Sequence, residues 1–337
     1  MNKTVFSLIF LLAFCFLTGT EPDFYVWQRH HTSEVQQAVE ELNEIMKTKA
    51  EDQRKQTQRK MFDAVKKNDL KEAEKCLLQG ADVNRPDEKG LVPLHYAAVC
   101  EHVEMVKWLL AHGADVNRQN DLTYWTPLHY ALGSDDFTDF TEGLRPKPNP
   151  EKTLELVRLL VEAKANINAE DDHGLTPVYL ALADLNILKY LSEHGGCLDA
   201  GDAYRGQSPL HFAIHDASLE VIEFILKKGG INKINESDGN GYAPLHHAVL
   251  CTNLEFVKCL VEHGADINQV IEEDGETPLD LAEDSSDFAK YLKARGDESP
   301  ELAKHLKKRK KALSEIAKYL KVHGAVSGKS AGKSIGH

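Results

Sequence analysis

The pentapeptide "PLHYA" stands at Pro93–Ala97 and again at Pro127–Ala131. A repeated motif with a histidine at its centre has two readings. The imidazole is either a chemical group, a ligand or a catalyst, or it is a structural peg. Aligning the chain on the motif proline separates them. "VPLHYAA" begins at Val92, "TPLHYAL" at Thr126, "TPVYLAL" at Thr176, "SPLHFAI" at Ser208, "APLHHAV" at Ala243 and "TPLDLAE" at Thr277. Successive prolines lie 34, 50, 32, 35 and 34 residues apart, so one interval is longer by about half a period.

A second block follows the starts. "MVKWLLAHGADVN" runs from Met105, "LVRLLVEAKANIN" from Leu156, "VIEFILKKGGIN" from Val221 and "FVKCLVEHGADIN" from Phe256. "AEKCLLQGADVN", from Ala73, is the same block without a proline start before it. Apolar residues spaced by three and four mark an amphipathic helix. Gly80, Gly113, Gly195, Gly229, Gly264 and Gly296 stop these helices, and Lys164 takes that place in one repeat. Thr or Ser before Pro supplies an N-cap hydroxyl and then a first helical residue whose missing N–H costs nothing. Each unit is turn, short helix, turn, longer helix. No unit can bury its apolar face alone, so neighbours must stack.

The period and the T-P-L-H-x-A signature resemble the ankyrin repeat, over roughly Arg59 to Asp297. The resemblance implies an all-α solenoid of about six or seven L-shaped units, with short β-hairpin fingers between them and helical caps. It also implies that His95, His129, His211 and His246 are pegs, each bonding backbone near its helix start and linking adjacent repeats. Tyr179 and Asp280 stand in that position in two repeats, which fits a replaceable peg. A second set, His112, His194, His263 and His323, precedes a glycine at a helix end, where an imidazolium suits the negative pole of the helix dipole.

The remaining signals bound the function. A formal net charge of -13 argues against nucleic acid as a partner. Residues 301–337 are locally basic. "KKRKK" at Lys307–Lys311 reads as an address or an acidic-surface contact, or as the polar face of a cap whose apolar stripe is Leu302, Leu306, Leu313, Ile316 and Leu320. The cap is the favoured reading, followed by a flexible tail. "AKYLKVHG" at Ala317 echoes "AKYLKARG" at Ala289, as a degenerate last repeat would. At the other end, Lys3, the apolar run Val5–Leu17 and Thr18-Gly19-Thr20 have the order of a secretory signal over residues 1–20. That predicts export, periplasmic or secreted, with no stable membrane span after cleavage; an uncleaved segment would leave the chain inside. Residues 21–58 form an N-terminal helical extension or cap, opened by the box Ser33–Gln36.

Cys76, Cys100, Cys197, Cys251 and Cys259 are odd in number, widely spaced and without a C-x-x-C pair. Cys76, Cys100, Cys251 and Cys259 recur at repeat positions and read as core thiols, with neither bridges nor structural zinc expected. His30-His31 and His246-His247 lack a third ligand at useful spacing, and "GKSAGKS" at Gly328 fails the phosphate-loop spacing. No catalytic, cofactor or metal residue is therefore expected. The expected function is protein–protein binding by a monomer, with contacts where the scaffold is interrupted. The alternatives are a secreted effector acting on a host-cell protein, or an enzyme or enzyme inhibitor built on the solenoid.

Three interruptions supply the candidate contacts. The insertion Ser134–Lys152 carries Phe137 and Phe140 among acids. The finger "RQNDLTYWTP" carries Arg118, Asp121, Tyr124 and Trp125, with Tyr124 where the other five starts have glycine three before the proline. The tip "DAYRG" carries Tyr204 and Arg205. Against these stand two plainer readings: the phenylalanines pack back on the helices, and Trp125 covers the neighbouring hairpin.

Overall fold

The computed structural model describes residues 32–133, 149–199, 201–203, 205–229, 233–283 and 300–328. The chain divides into two units at Arg85 and Pro86. In the first, helices α1 (Thr32–Lys66) and α2 (Leu70–Leu78) pack together. Asn68, at φ 55°, turns the chain between them, and Asp69 caps α2 by accepting the N–H groups of Lys71 and Glu72. Burial falls at the end of α1, on Met61, Phe62, Ala64 and Val65, against Ala73 and Cys76 of α2. Earlier in α1, Ile45 and Met46 are exposed.

The second unit is a stack of helix pairs. Six short helices begin at the motif prolines: α3 (Pro93–Val99), α5 (Pro127–Leu132), α7 (Pro177–Leu180, continued by a 3₁₀ turn at Ala181–Ala183), α9 (Pro209–Asp216), α11 (Pro244–Leu250) and α13 (Pro278–Glu283). Each is followed by a partner: α4 (Val103–Ala111), α6 (Pro150–Glu162), α8 (Leu185–Glu193), α10 (Leu219–Lys228), α12 (Leu254–Glu262) and α14 (Pro300–Val322). Each short helix packs on its own partner, and each but the last on the next short helix. The helix α6 starts at Pro150, capped by Asn149, so the described end of the 134–152 insertion is already helical.

Each motif histidine is buried and bonds in two directions. Its Nδ1 accepts the N–H of the residue three before it: Val92 to His95 at 3.0 Å, Thr126 to His129 at 3.2 Å, Ser208 to His211 at 3.1 Å and Ala243 to His246 at 3.0 Å. Its Nε2–H donates to a carbonyl of the next repeat: Arg118 at 2.9 Å, Leu175 at 3.3 Å, Tyr242 at 3.2 Å and Gln269 at 3.1 Å. The two replacements bridge as well. The Tyr179 hydroxyl donates to the Gln207 carbonyl at 2.7 Å. Asp280 reverses the polarity: its Oδ2 accepts from the Thr277 N–H at 3.0 Å and, across the gap, from the Gly328 N–H at 2.8 Å. The chain after α14 thus takes the place of a next finger, and Leu313, Ile316 and Leu320 are buried beneath it, as a terminal repeat requires. The second set of histidines does something the dipole argument did not foresee. Nδ1 of His112, His194, His263 and His323 each lies 2.8 Å from the carbonyl four residues earlier, so the imidazole adds a donor to a carbonyl of the last turn.

Strands do not form at the fingers among the described residues; this corrects the expected β-hairpins. A backbone bond closes each of three fingers, Asp87 N–H to Leu91 O (2.9 Å), Asp171 N–H to Leu175 O (3.0 Å) and Asp238 N–H to Tyr242 O (2.9 Å), and side chains brace it. Asp87, Asp171 and Asp238 each accept two N–H groups of their own turn on Oδ1.

Burial lowers the pKa of all four pegs from 6.5 to about 4. Between those values the unfolded chain binds more protons than the folded one. Peg stability is therefore complete above pH 6.5 and lost as pH falls toward 4. The melting temperature should drop through that window. Replacing one peg by tyrosine, the residue the third repeat uses, should remove about one proton from the unfolding linkage. A flat profile would contradict neutral pegs.

Candidate functional site

Two concavities in the second unit share a wall. One, about 430 Å³, lies against Thr123, Trp125, Asp172, His173, Arg205 and Phe212. The other, about 460 Å³, lies against Arg205, Phe212, His215, Tyr242, His247 and Leu250. Because Arg205, Gln207 and Phe212 belong to both, they form one groove. Its lining alternates between finger residues and residues of the short helices α9 and α11. The fingers are held at fixed spacing by backbone bonds from Asp172 N–H to Thr123 O (3.1 Å), Ala203 N–H to His173 O (3.0 Å) and Gly239 N–H to Arg205 O (2.5 Å). Approach is so close at Gly174, φ 77°, that a Cβ there would lie 2.5 Å from the Ala203 nitrogen.

The candidate contact residues separate on this geometry. Trp125 is only 3% exposed, which corrects its reading as a projecting anchor. Its indole N–H donates to Asp171 Oδ2 at 3.0 Å, and its ring meets Tyr130 edge-on at 5.2 Å. A Cβ on Gly133 would touch that ring, so the pocket around it is filled. The indole covers the neighbouring finger because a large ring with one donor is satisfied there by a buried carboxylate. Tyr124 beside it is 52% exposed and takes φ 55°, the left-handed backbone that glycine supplies in the other fingers. Arg118 pairs with Asp121 at 3.3 Å; neither residue lines the groove. Arg205 is exposed where the two concavities meet. Phe137, Phe140 and Tyr204 lie outside the described residues.

Phe212, His215, Tyr242 and His247 were not singled out by sequence as groove residues. A signal was present. Phe212 and His247 stand three after their prolines, and His215 and Leu250 six after, so the repeat alignment already put them on one face. The finger brace residues were equally legible, as an Asp or Asn six or seven before most of the prolines. Three reach the residue just after a peg: Asp87 accepts from the Tyr96 hydroxyl at 2.6 Å, Asn120 donates to Tyr130 at 3.3 Å, and Asp238 accepts from His247 at 3.0 Å.

Among the described residues, Asp171, Asp172 and His173 are the one group with three metal-capable atoms close together. Asp171 spends both oxygens on His173 N–H, Leu175 N–H and the Trp125 indole, so the group is a turn brace. No helix among the described residues is long and apolar enough to cross a membrane.

These stacked pairs, pegs and fingers define a repeat protein, and the chain belongs to the ankyrin-repeat family. The model for ankyrin repeats in three copies matches residues 61–145, 149–238 and 230–301, and that for a single ankyrin repeat matches 123–172. The chain is 28% identical over 229 residues to the putative palmitoyltransferase ZDHHC13 of Danio rerio, covering 66% of this chain and 32% of that protein. It is 31% identical over 223 residues to the nuclear factor NF-kappa-B p105 subunit of Gallus gallus, covering 62% of this chain and 21% of that protein. It therefore spans about a third and a fifth of these relatives. Its fold resembles the ankyrin repeat domain of Bcl-3, with a TM-score of 0.54 at 23% identity, over 66% of this chain and 92% of that one. Ankyrin repeats mark a protein–protein interaction scaffold.

Trp125→Ala should cost about 3–5 kcal/mol in urea unfolding, as expected for a buried ring that leaves a cavity and an unpaired carboxylate. Unchanged stability would return Trp125 to the surface.

Proposed function

We propose that the chain holds an extended segment of one partner protein in the groove centred on Arg205 and Phe212. The carrying observation is that these two residues form the wall common to both concavities. Phe212 is half-buried against Tyr179, with ring centroids 5.0 Å apart, and so offers a preordered aromatic face. Arg205 adds an exposed guanidinium, and aromatic and Arg side chains are the types that carry binding energy at the centre of interfaces. Asp172 and His173 extend the polar edge toward Thr123, and Leu250 extends the apolar one. No reaction is needed for this role.

A photo-crosslinking residue at position 212, introduced in the producing cells, should give one dominant protein adduct. The same residue at exposed position 193, on the outer helix α8, should give none. Arg205→Glu should weaken capture about tenfold, which is 1.4 kcal/mol. Equal labelling at 193 and 212 would contradict this placement.

We propose further that the groove works outside the producing cytoplasm, on the strength of the charged start, apolar run and small residues at 1–20. The thiol state of Cys76, Cys100, Cys197, Cys251 and Cys259 is compatible with export because no pair is placed to bridge. Intact mass of alkylated protein from its source should show a start near residue 21 with five alkylated cysteines. A start at Met1 would overturn export and leave the groove reading standing.

A further inference from the structure

Beside the groove, four side chains from two neighbouring repeats form one hydrogen-bonded line. Asp238 braces its finger with Oδ1, and its Oδ2 accepts from Gln207 Nε2 and His247 Nε2, both at 3.0 Å. A carboxylate only accepts, so His247 carries its proton on Nε2. Burial lowers the His247 pKa, which keeps the ring neutral and leaves Nδ1 bare. His215 Nε2 lies 3.1 Å from that Nδ1 and is therefore the donor. With Nε2 as the donor, Nδ1 is the nitrogen of His215 left to accept, and the Cys251 sulfur lies 3.4 Å from it. Every proton in the line points from the sulfur toward Asp238.

The other described thiols are placed differently. Cys76, Cys100 and Cys259 are buried; burial raises the Cys76 pKa and pushes that of Cys259 up to about 11. Cys259 does have an imidazole nearby, at 3.8 Å, but that nitrogen donates to the Cys259 carbonyl at 2.8 Å and cannot take a proton. Cys197, half-buried like Cys251, gives its S–H to the Asp199 carboxylate at 2.8 Å. A metal would need more than the thiol and one nitrogen, since zinc sites use three or four protein ligands, and the other nitrogens of the line are committed.

We propose that Cys251 is a nucleophilic thiol with His215 as its general base, and that it exchanges with small disulfides at the edge of the groove. His215 Nδ1 takes the thiol proton, and the sulfur attacks one sulfur of R–S–S–R. The Cys251–S–S–R bond forms as the reagent's S–S bond breaks. The departing thiolate takes the proton back from His215 and leaves as RSH, so atoms and electrons balance. His247 and Asp238 are positioning residues: they hold the His215 tautomer and share the charge of its imidazolium. Cys251 terminates α11, and the carbonyl end of a helix opposes a thiolate, so the activation rests on His215. The exchange rests on the Cys251–His215 contact and not on the proposed partner.

The test uses the full chain with oxidised glutathione at pH 7, read by site-resolved mass spectrometry, with Cys197 as the reference in the same molecule. Cys251 should form the mixed disulfide at least about tenfold faster than Cys197. His215→Ala, at an exposed position, should bring Cys251 to the Cys197 rate and leave Cys197 unchanged. Labelling of buried Cys100 reports any unfolding, and His215→Gln then replaces the alanine variant. Equal rates at Cys251 and Cys197 in the wild type, or an undiminished preference in the variants, would overturn the proposal.

Discussion

The structure depends on one buried side chain that bonds in two directions at once. A neutral imidazole has one acceptor and one donor on opposite sides of a rigid ring. At the third helical position its acceptor completes the helix start, and its donor reaches a carbonyl of the next finger. The N–H it serves is a buried backbone donor at the helix start, and leaving such a donor unpaired costs more than the bond itself returns. The constraint is on the bridge and not on histidine. Tyrosine meets it with a longer donor at Tyr179, and aspartate meets it with the opposite polarity at Asp280, where the partner is an N–H.

The groove is a consequence of that bridge. Pegs place each finger against the preceding short helix, and backbone bonds then tie finger to finger from Thr123 to Gly239. With both sides fixed, the residues three and six after each proline fall in line along the groove. Positions six, three and seven after the prolines of two adjacent repeats place His215 within hydrogen-bonding distance of both His247 and Cys251. Repetition thus builds a stack and also sets chemically different side chains at matched positions beside each other.

Most of the fold was legible in the sequence because helix starts and stops repeat, and a repeated local signal needs no long-range information. The peg role of His95, His129, His211 and His246 was legible for the same reason. The site was only partly legible. Trp125 occupies a finger that departs from the pattern, and departure alone does not say whether a ring points out or folds in. A carboxylate 46 residues away decides it. Tyr124 shows the converse: the missing glycine is real, and the backbone keeps the left-handed turn regardless. The line from Cys251 to Asp238 was hidden because its members are ordinary in each repeat and meet only across the stack. His247 looked like half of a histidine pair with no third ligand; its neighbour His246 is a peg, and its true partners are His215 and Asp238.

The central claim is that the pegs are neutral, buried and committed at both nitrogens. Nitrogen-resolved NMR of the histidine rings during an acid titration tests it most directly. The account predicts four imidazoles in the Nε2–H form that stay neutral until pH approaches about 4. Titration of those four rings near the ordinary value of 6.5, or a mixture of tautomers in the folded protein, would contradict it.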